Sequence, residues 1–175
     1  MKIQQKTGQS TEYKVKKLLE FHGLTAKKPI PDNGVDLEVS CISAPEKIIR
    51  VQIKGRGCNQ KNGRYRWFQI RTTPKQREGA VKSGLSISEA WKKKVELCDY
   101  FIFVAEKYDE CWVFPKDIVF QIIQLNQCKY GNRADNRCGK QAEMDLDIQH
   151  NDKMLTEIYA EYKNIIDIIK NRLTK

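Results

Sequence analysis

The mostly apolar segment from Asp99 to Ala105 is the feature that most constrains the fold. Apolar side chains follow one another there without the alternation of a half-exposed strand, and such runs are typical of strands covered on both faces. Residues 111–114 predict a shorter partner strand, and Pro115 predicts the first position of a following helix. We therefore expect a layered domain built around an interior strand.

Two further segments, 35–39 and 48–54, alternate apolar and polar residues and predict an antiparallel hairpin. In each segment the apolar side chains share one face, and the charged or amide side chains share the other. If both apolar faces point to the core, Asp36, Gln52 and Lys54 meet on the opposite side. The hairpin would then present a carboxylate, an amide oxygen and an ammonium group at one place.

A helix is predicted over residues 9–22, ahead of the hairpin. Ser10 or Thr11 can cap its beginning, and Gly23 can end it.

After the hairpin, residues 65–71 predict a third strand, and Ser88 predicts the start of a helix of about ten residues. Near the end of the chain, residues 154–173 carry a stripe of apolar side chains that predicts one long amphipathic helix. The fold class is therefore α/β with a mixed central sheet and a C-terminal amphipathic helix. We expect residues 1–125 to form the core and residues 126–175 to form an extension packed on that core or in an oligomer interface.

Basic residues are concentrated in one segment of the chain. The net charge is +10, and residues 50–94 contain 13 Lys or Arg against two acids, so the remainder is close to neutral. Tyr65, Trp67 and Phe68 lie among these basic residues. The pattern favours binding to a polyanion, because each neutralised phosphate releases counterions. A solvated face that only adds solubility is the alternative.

The cysteines argue against a zinc or iron–sulfur centre. They stand at positions 41, 58, 98, 111, 128 and 138, and no two have CxxC spacing. We expect neither a signal peptide nor a membrane span, because no apolar stretch has the required place or length. The expected setting is the reducing cytoplasm, with free thiols.

The polar face of the hairpin has the groups that phosphodiester hydrolysis requires. Magnesium prefers one or two carboxylates, neutral oxygens and water. Asp36, the side-chain oxygen of Gln52 and the backbone carbonyl of Ile53 can supply the protein ligands. The Lys54 ammonium can lie against the attacking water or the charged transition state. Glu12, at the edge of the apolar face of the first helix, can add a second carboxylate.

These residues resemble the signature of the PD-(D/E)XK nuclease superfamily. Residues 32–37 followed by 51–55 are similar to the variant with glutamine in the middle acidic position, and Gly8 and Glu12 resemble the superfamily's helical glutamate. The resemblance covers roughly residues 8–120, and the spacing is similar to that of small homing and restriction-type endonucleases, such as a cyanobacterial group I intron homing endonuclease. It implies a restriction-endonuclease-like αβββαβ core and Mg²⁺ (or Mn²⁺) as cofactor. It also implies four catalytic residues, of which all but the lysine hold or support the metal: Asp36, Gln52, Lys54 and Glu12.

Double-stranded DNA is the expected partner. Basic residues in and after the loop that follows Lys54 can contact phosphates or guanine edges. Because both strands must be cut and the chain carries one site, we expect a homodimer or homotetramer. The candidate DNA-contacting residues are Arg56, Lys61, Arg64, Arg66, Arg71, Lys75 and Arg77.

The leading interpretation is a metal-dependent, sequence-specific endonuclease acting on double-stranded DNA. A Holliday junction resolvase with the same core is the alternative among enzymes. A non-catalytic DNA-binding protein that retains the fold is the alternative of a different class. Asp145 and Asp147, in a stretch that alternates acidic and apolar residues, fit an exposed strand edge better than a metal site.

Overall fold

The structure is a computed structural model that describes residues 3–30, 34–57, 63, 65–71, 78–79, 82–84, 90–130 and 141–175, apart from the side chains of 3–8, 71, 90–91, 127–130 and 141. Its elements are, in chain order, α1 (Ile3–Phe21), β1 (Leu24–Lys27), β2 (Leu37–Cys41), β3 (Ala44–Arg56), β4 (Trp67–Arg71), α2 (Ala90–Glu96), β5 (Tyr100–Ala105), β6 (Glu110–Pro115), α3 (Lys116–Tyr130), β7 (Gln141–Asp145), β8 (Gln149–His150), β9 (Lys153–Met154), α4 (Leu155–Ile158) and α5 (Asp167–Thr174).

A five-stranded mixed sheet forms the centre, in the order β1-β2-β3-β5-β6. Neighbouring strands are antiparallel except β3 and β5, which are parallel. The predicted hairpin is confirmed as β2 and β3, with Leu37 opposite Val51. The predicted interior strand is confirmed as β5, because Phe101, Ile102 and Phe103 have no exposed surface. The α/β class with a mixed central sheet is therefore correct.

Each face of the sheet has its own apolar core. Alternate residues of β5 point to opposite faces, so Phe101 and Phe103 pack on one side and Tyr100 and Ile102 on the other. The first side is covered by α3 and by the β4–β7 pair, and we call it the α3 face. The second side is covered by α1 and α5, and we call it the α1 face.

The prediction of one continuous helix over residues 154–173 is wrong. Residues 155–158 form α4, a 3-10 turn follows at Ala160–Tyr162, and α5 begins only at Asp167. Leu155 packs on the α3 face, whereas Ile169 packs on the α1 face. One straight helix cannot cover both faces of a sheet. After α4 the chain therefore crosses the edge of the central sheet formed by β6, where Lys163 forms a β-bridge with Trp112.

The third predicted strand forms, but it does not join the central sheet. β4 pairs antiparallel with β7 in a separate two-stranded sheet, with Phe68 opposite Met144. Its partner lies far along the sequence, so local spacing could not reveal the pairing. β1 was not predicted, and it pairs with β2 as the first strand of the central sheet.

Two predicted helix starts are displaced. α1 begins at Ile3, so Ser10 and Thr11 lie inside the helix and do not cap it. Pro115 is the last residue of β6, and α3 begins one residue later at Lys116. Gly23 ends α1 as predicted, and its positive φ of 78° explains the preference for glycine there. Within the described part of the chain, no helix has the length and hydropathy needed to cross a bilayer.

Candidate active site

Asp36 lies directly before β2 and accepts two hydrogen bonds on one carboxylate oxygen. Its Oδ2 accepts from the backbone N–H of Ile53 at 2.7 Å and from the side-chain amide Nε2 of Gln52. The backbone N–H of Asp36 donates to the carbonyl of Val51 at 3.0 Å. The hairpin register therefore brings Asp36, Gln52 and Ile53 together, and the predicted proximity of Asp36 and Gln52 is observed.

Gln52 has a buried oxygen whose hydrogen-bonding capacity is unused. The residue is only 2% exposed, and its Oε1 has no hydrogen-bond partner in the described part of the chain. An unpaired buried acceptor costs about 1–3 kcal/mol, so proteins seldom keep one without a use for it. The oxygen lies on the residue whose Nε2 already contacts Asp36, so a carboxylate and a neutral oxygen are available together. This donor set fits a hard divalent cation.

Lys54 follows Gln52 by two residues on β3, so both side chains leave the same face about 6.6 Å apart along the strand. The side chain is half-buried and forms neither a hydrogen bond nor an ion pair with any described residue. The pKa of the nearby Cys98 thiol is raised to about 12, chiefly by burial and also by the charge of Asp36, whereas the charge of Lys54 lowers it. Both charges therefore act on one buried thiol, which places Asp36 and Lys54 in one neighbourhood.

Glu12 is close to this hairpin through α1, but it forms no hydrogen bond with Asp36 or Gln52. Its carboxylate forms an ion pair with Nζ of Lys28 at 2.8 Å. The preceding residue, Thr11, packs on Gly55, where an added Cβ would come within 3.0 Å of the Thr11 Cβ. The turn of α1 that carries Glu12 therefore lies against the backbone that directly follows Lys54.

Arg66 is used inside the protein. Its guanidinium contacts both carboxylate oxygens of Glu110, at 2.6 and 2.8 Å, and Oδ1 of Asp147 at 2.8 Å. It also lies 3.9 Å from the ring centroid of Tyr108. These contacts engage the fork of donors that a phosphate or guanine would need. We therefore do not expect Arg66 to contact DNA.

Sequence reasoning missed this ion-pair network because its members are distant in the chain. Burial would raise the pKa of Glu110, but hydrogen bonds from Arg66 and Lys163 reverse the effect and hold it at about 2. Asp145, expected at an exposed edge, is 4% exposed, and Asp147 pairs with Arg66. Only the alternation of acidic and apolar residues was visible in the sequence, and it does not reveal which face becomes covered.

Of the other candidate DNA-contacting residues, the structure describes the side chain of Arg56 and the backbone of Arg71. Arg56 lies 4.7 Å from the ring centroid of Trp67, just beyond Lys54 on β3. Arg71 is the last residue of β4, and its side chain is not described. Lys61, Arg64, Lys75 and Arg77 lie outside the described residues.

A carboxylate-rich metal cluster is absent from the described residues, where no three His, Cys, Asp or Glu side chains come together in a group that could hold a metal ion. The predicted centre has a different composition, with the Asp36 carboxylate, one side-chain amide oxygen, a backbone carbonyl and Glu12 as a second carboxylate. Mg²⁺ accepts such a set, because it keeps several waters and requires only one or two protein carboxylates.

Comparison with known proteins gives a likeness in fold. The chain is similar in structure to a bacterial homing endonuclease, I-Ssp6803I, with a TM-score of 0.55 and 12% sequence identity. The match covers 99% of this chain and 96% of the other. No protein-family model and no curated protein matches the sequence. The described part of the chain therefore has a fold similar to that of an endonuclease.

Proposed function

We propose that the protein is a metal-dependent endonuclease that hydrolyses phosphodiester bonds in double-stranded DNA, with the glutamine variant of the PD-(D/E)XK site. The observation that carries this proposal is the buried, unpartnered Oε1 of Gln52 beside the Asp36 carboxylate, with Lys54 on the same face. The likeness to a homing endonuclease over the full chain supports it. The basic segment after the site supports DNA as the substrate.

Asp36, the Gln52 amide oxygen and the Ile53 carbonyl would hold Mg²⁺, with Glu12 as a second carboxylate on the α1 side. When bound, the ion supplies a Lewis acid and a water of lowered pKa. The Ile53 N–H and the Gln52 amide fix the orientation of the Asp36 carboxylate. Lys54 neutralises negative charge that develops on the scissile phosphate and orients the attacking water.

Replacing the proposed catalytic lysine, Lys54, is the most direct test of this proposal. Wild-type protein is incubated with genomic DNA in Mg²⁺, Mn²⁺, Ca²⁺ or EDTA, and the fragment ends are sequenced, so that no recognition site need be known. We expect cleavage in Mg²⁺ and Mn²⁺ only, with a rate reduced at least 100-fold in Lys54→Ala. Lys153→Ala, which removes an exposed lysine from β9, is the matched control and should cleave like wild type.

Two outcomes would overturn parts of the proposal. A Lys54→Ala protein as active as wild type would remove Lys54 from the mechanism. DNA binding without cleavage in any metal would favour the non-catalytic alternative. A four-way junction and a linear duplex of the same sequences, assayed side by side, distinguish a resolvase from a sequence-specific enzyme. Recurrent sequence at the cut ends and cleavage of the linear duplex are the results expected here.

A further inference from the structure

A cleft of about 570 Å³ opens at the end of the sheet where β3 and β5 begin to pair. Its walls come from β3, from the beginning of β5, from the first turn of α3 and from the last turn of α5. Four cationic and two acidic side chains line it: Lys47, Arg50, Lys116, Arg172, Asp99 and Asp117.

The cations of this cleft are largely unpaired. Arg50 is partly offset by Asp99, with Nε 3.6 Å from Oδ2, and Asp99 Oδ2 also accepts from the backbone N–H of Arg50 at 2.8 Å. Lys47, Lys116 and Arg172 form no ion pair with any residue that the structure describes. Three cations therefore remain against the single carboxylate of Asp117, and the cleft has a net positive charge.

The cleft adjoins the candidate active site along one strand. Arg50 precedes Gln52 by two residues on β3, so their side chains leave the same face about 6.6 Å apart. The carbonyl of Arg50 accepts from the N–H of Asp99 at 2.8 Å, and the carbonyl of Val51 accepts from the N–H of Asp36 at 3.0 Å. Consecutive peptide units of β3 thus join the cleft on one side to the Asp36 site on the other.

We propose that this cleft binds backbone phosphates of DNA beside the phosphate held at Asp36 and Lys54. The inference depends on the proposed function for the identity of the polyanion. A duplex placed at Asp36 has further phosphates on both sides of the scissile bond, and unpaired ammonium and guanidinium groups beside the site neutralise them. Lys116 and Arg172 belong to helices, so the fold itself fixes where this charge lies.

The salt dependence of DNA binding tests the assignment. The dissociation constant of a fluorescein-labelled random-sequence duplex is measured by anisotropy in EDTA, over a series of KCl concentrations. The double variant Lys116→Gln/Arg172→Gln should bind more weakly, and the slope of log K against log[KCl] should become shallower by about 1 to 2. Asp117→Asn, which removes a negative charge from the cleft, should bind more tightly than wild type.

Lys17→Gln/Lys153→Gln removes the same charge from exposed positions on α1 and β9 and should keep a slope within about 0.5 of wild type. Thermal melting of all variants shows whether each retains the fold. Equal slopes for the cleft and control variants would overturn the proposal. If inorganic phosphate at constant ionic strength also stabilised wild type but not the cleft variant, the cleft would be assigned to a free phosphate compound instead.

The binding test is independent of cleavage, so the two proposals can fail separately. A shallower slope in the cleft variant, together with full activity of Lys54→Ala, would sustain the phosphate contacts and remove the assigned catalytic lysine. Loss of activity in Lys54→Ala, together with an unchanged slope in the cleft variant, would sustain the catalytic lysine and remove the phosphate contacts.

Discussion

Gln52 donates a hydrogen bond from its side-chain amide to Oδ2 of Asp36, and its own carbonyl oxygen remains buried without a partner among the described residues. The amide therefore does two things that an ionised carboxylate at this position cannot do together. Its N–H group donates to the aspartate and orients it, and its oxygen remains available beside the aspartate without adding a negative charge. Asp36 is therefore the only one of these two side chains that carries a negative charge before any cation binds.

Replacing this amide by a carboxylate should make the fold depend on metal. In Gln52→Glu, a buried carboxylate would lie beside that of Asp36, and their repulsion should lower the melting temperature in EDTA by roughly 2–4 °C. Mg²⁺ should raise the melting temperature of the variant more than that of wild type, because it neutralises both charges. Gln121→Glu adds the same charge at an exposed position of α3 and should change neither value. Equal Mg²⁺ responses in Gln52→Glu and wild type would contradict the proposed ligand.

Gly55 should be intolerant of a methyl group because Thr11 occupies the space. In Gly55→Ala the new Cβ would clash with Oγ1 of Thr11 and come within 2.9 Å of its Cγ2, two atoms that Thr11→Ala removes, and the unfolding free energy should fall by about 1–3 kcal/mol. Thr11→Ala makes room, so the double variant should be less destabilised than the two single losses added together. Urea unfolding of the four proteins measures this coupling. Strict additivity would mean that α1 does not rest on Gly55.

The acid dependence of stability should reveal the Glu110 network. The pKa of Glu110 is about 2 in the folded protein, below its ordinary value of 4.5. A lowered folded pKa contributes stability above about pH 4.5, and that contribution disappears as the pH falls toward 2. Glu110→Gln should therefore be less stable at pH 7 and should lose less stability on acidification than wild type. Glu46→Gln, at an exposed position of β3, should follow the wild-type profile in urea unfolding measured from pH 7 to pH 2.5.

Asn164 should contribute to the crossing of the sheet edge through both its backbone and its side chain. It has a φ of 56°, and its Oδ1 accepts from the backbone N–H of Cys111 at 2.8 Å. Asn164→Ala loses the hydrogen bond and strains the backbone, so the unfolding free energy should fall by about 2 kcal/mol. Asn164→Gly loses only the hydrogen bond and should cost about half as much. Equal losses in the two variants would exclude the backbone contribution.

Much of the site could be predicted because it depends on short-range alternation. Asp36 directly precedes β2, and Gln52 and Lys54 lie on the neighbouring strand β3. A period of two is sufficient to place such polar side chains on one face of a hairpin. The interior position of β5 could be predicted equally well, because a strand with apolar side chains on both faces is stable only when both faces are covered. These features need no knowledge of distant parts of the chain.

Arg66 shows where such reasoning ends. The sequence places it among basic residues that suit DNA, and only the fold brings Glu110 and Asp147 to its guanidinium. The apolar stripe between Leu155 and Leu173 likewise has helical spacing, but its two halves pack on opposite faces of the sheet. Periodicity records which residues are buried, whereas the surface that buries them is determined by contacts between segments far apart in the chain.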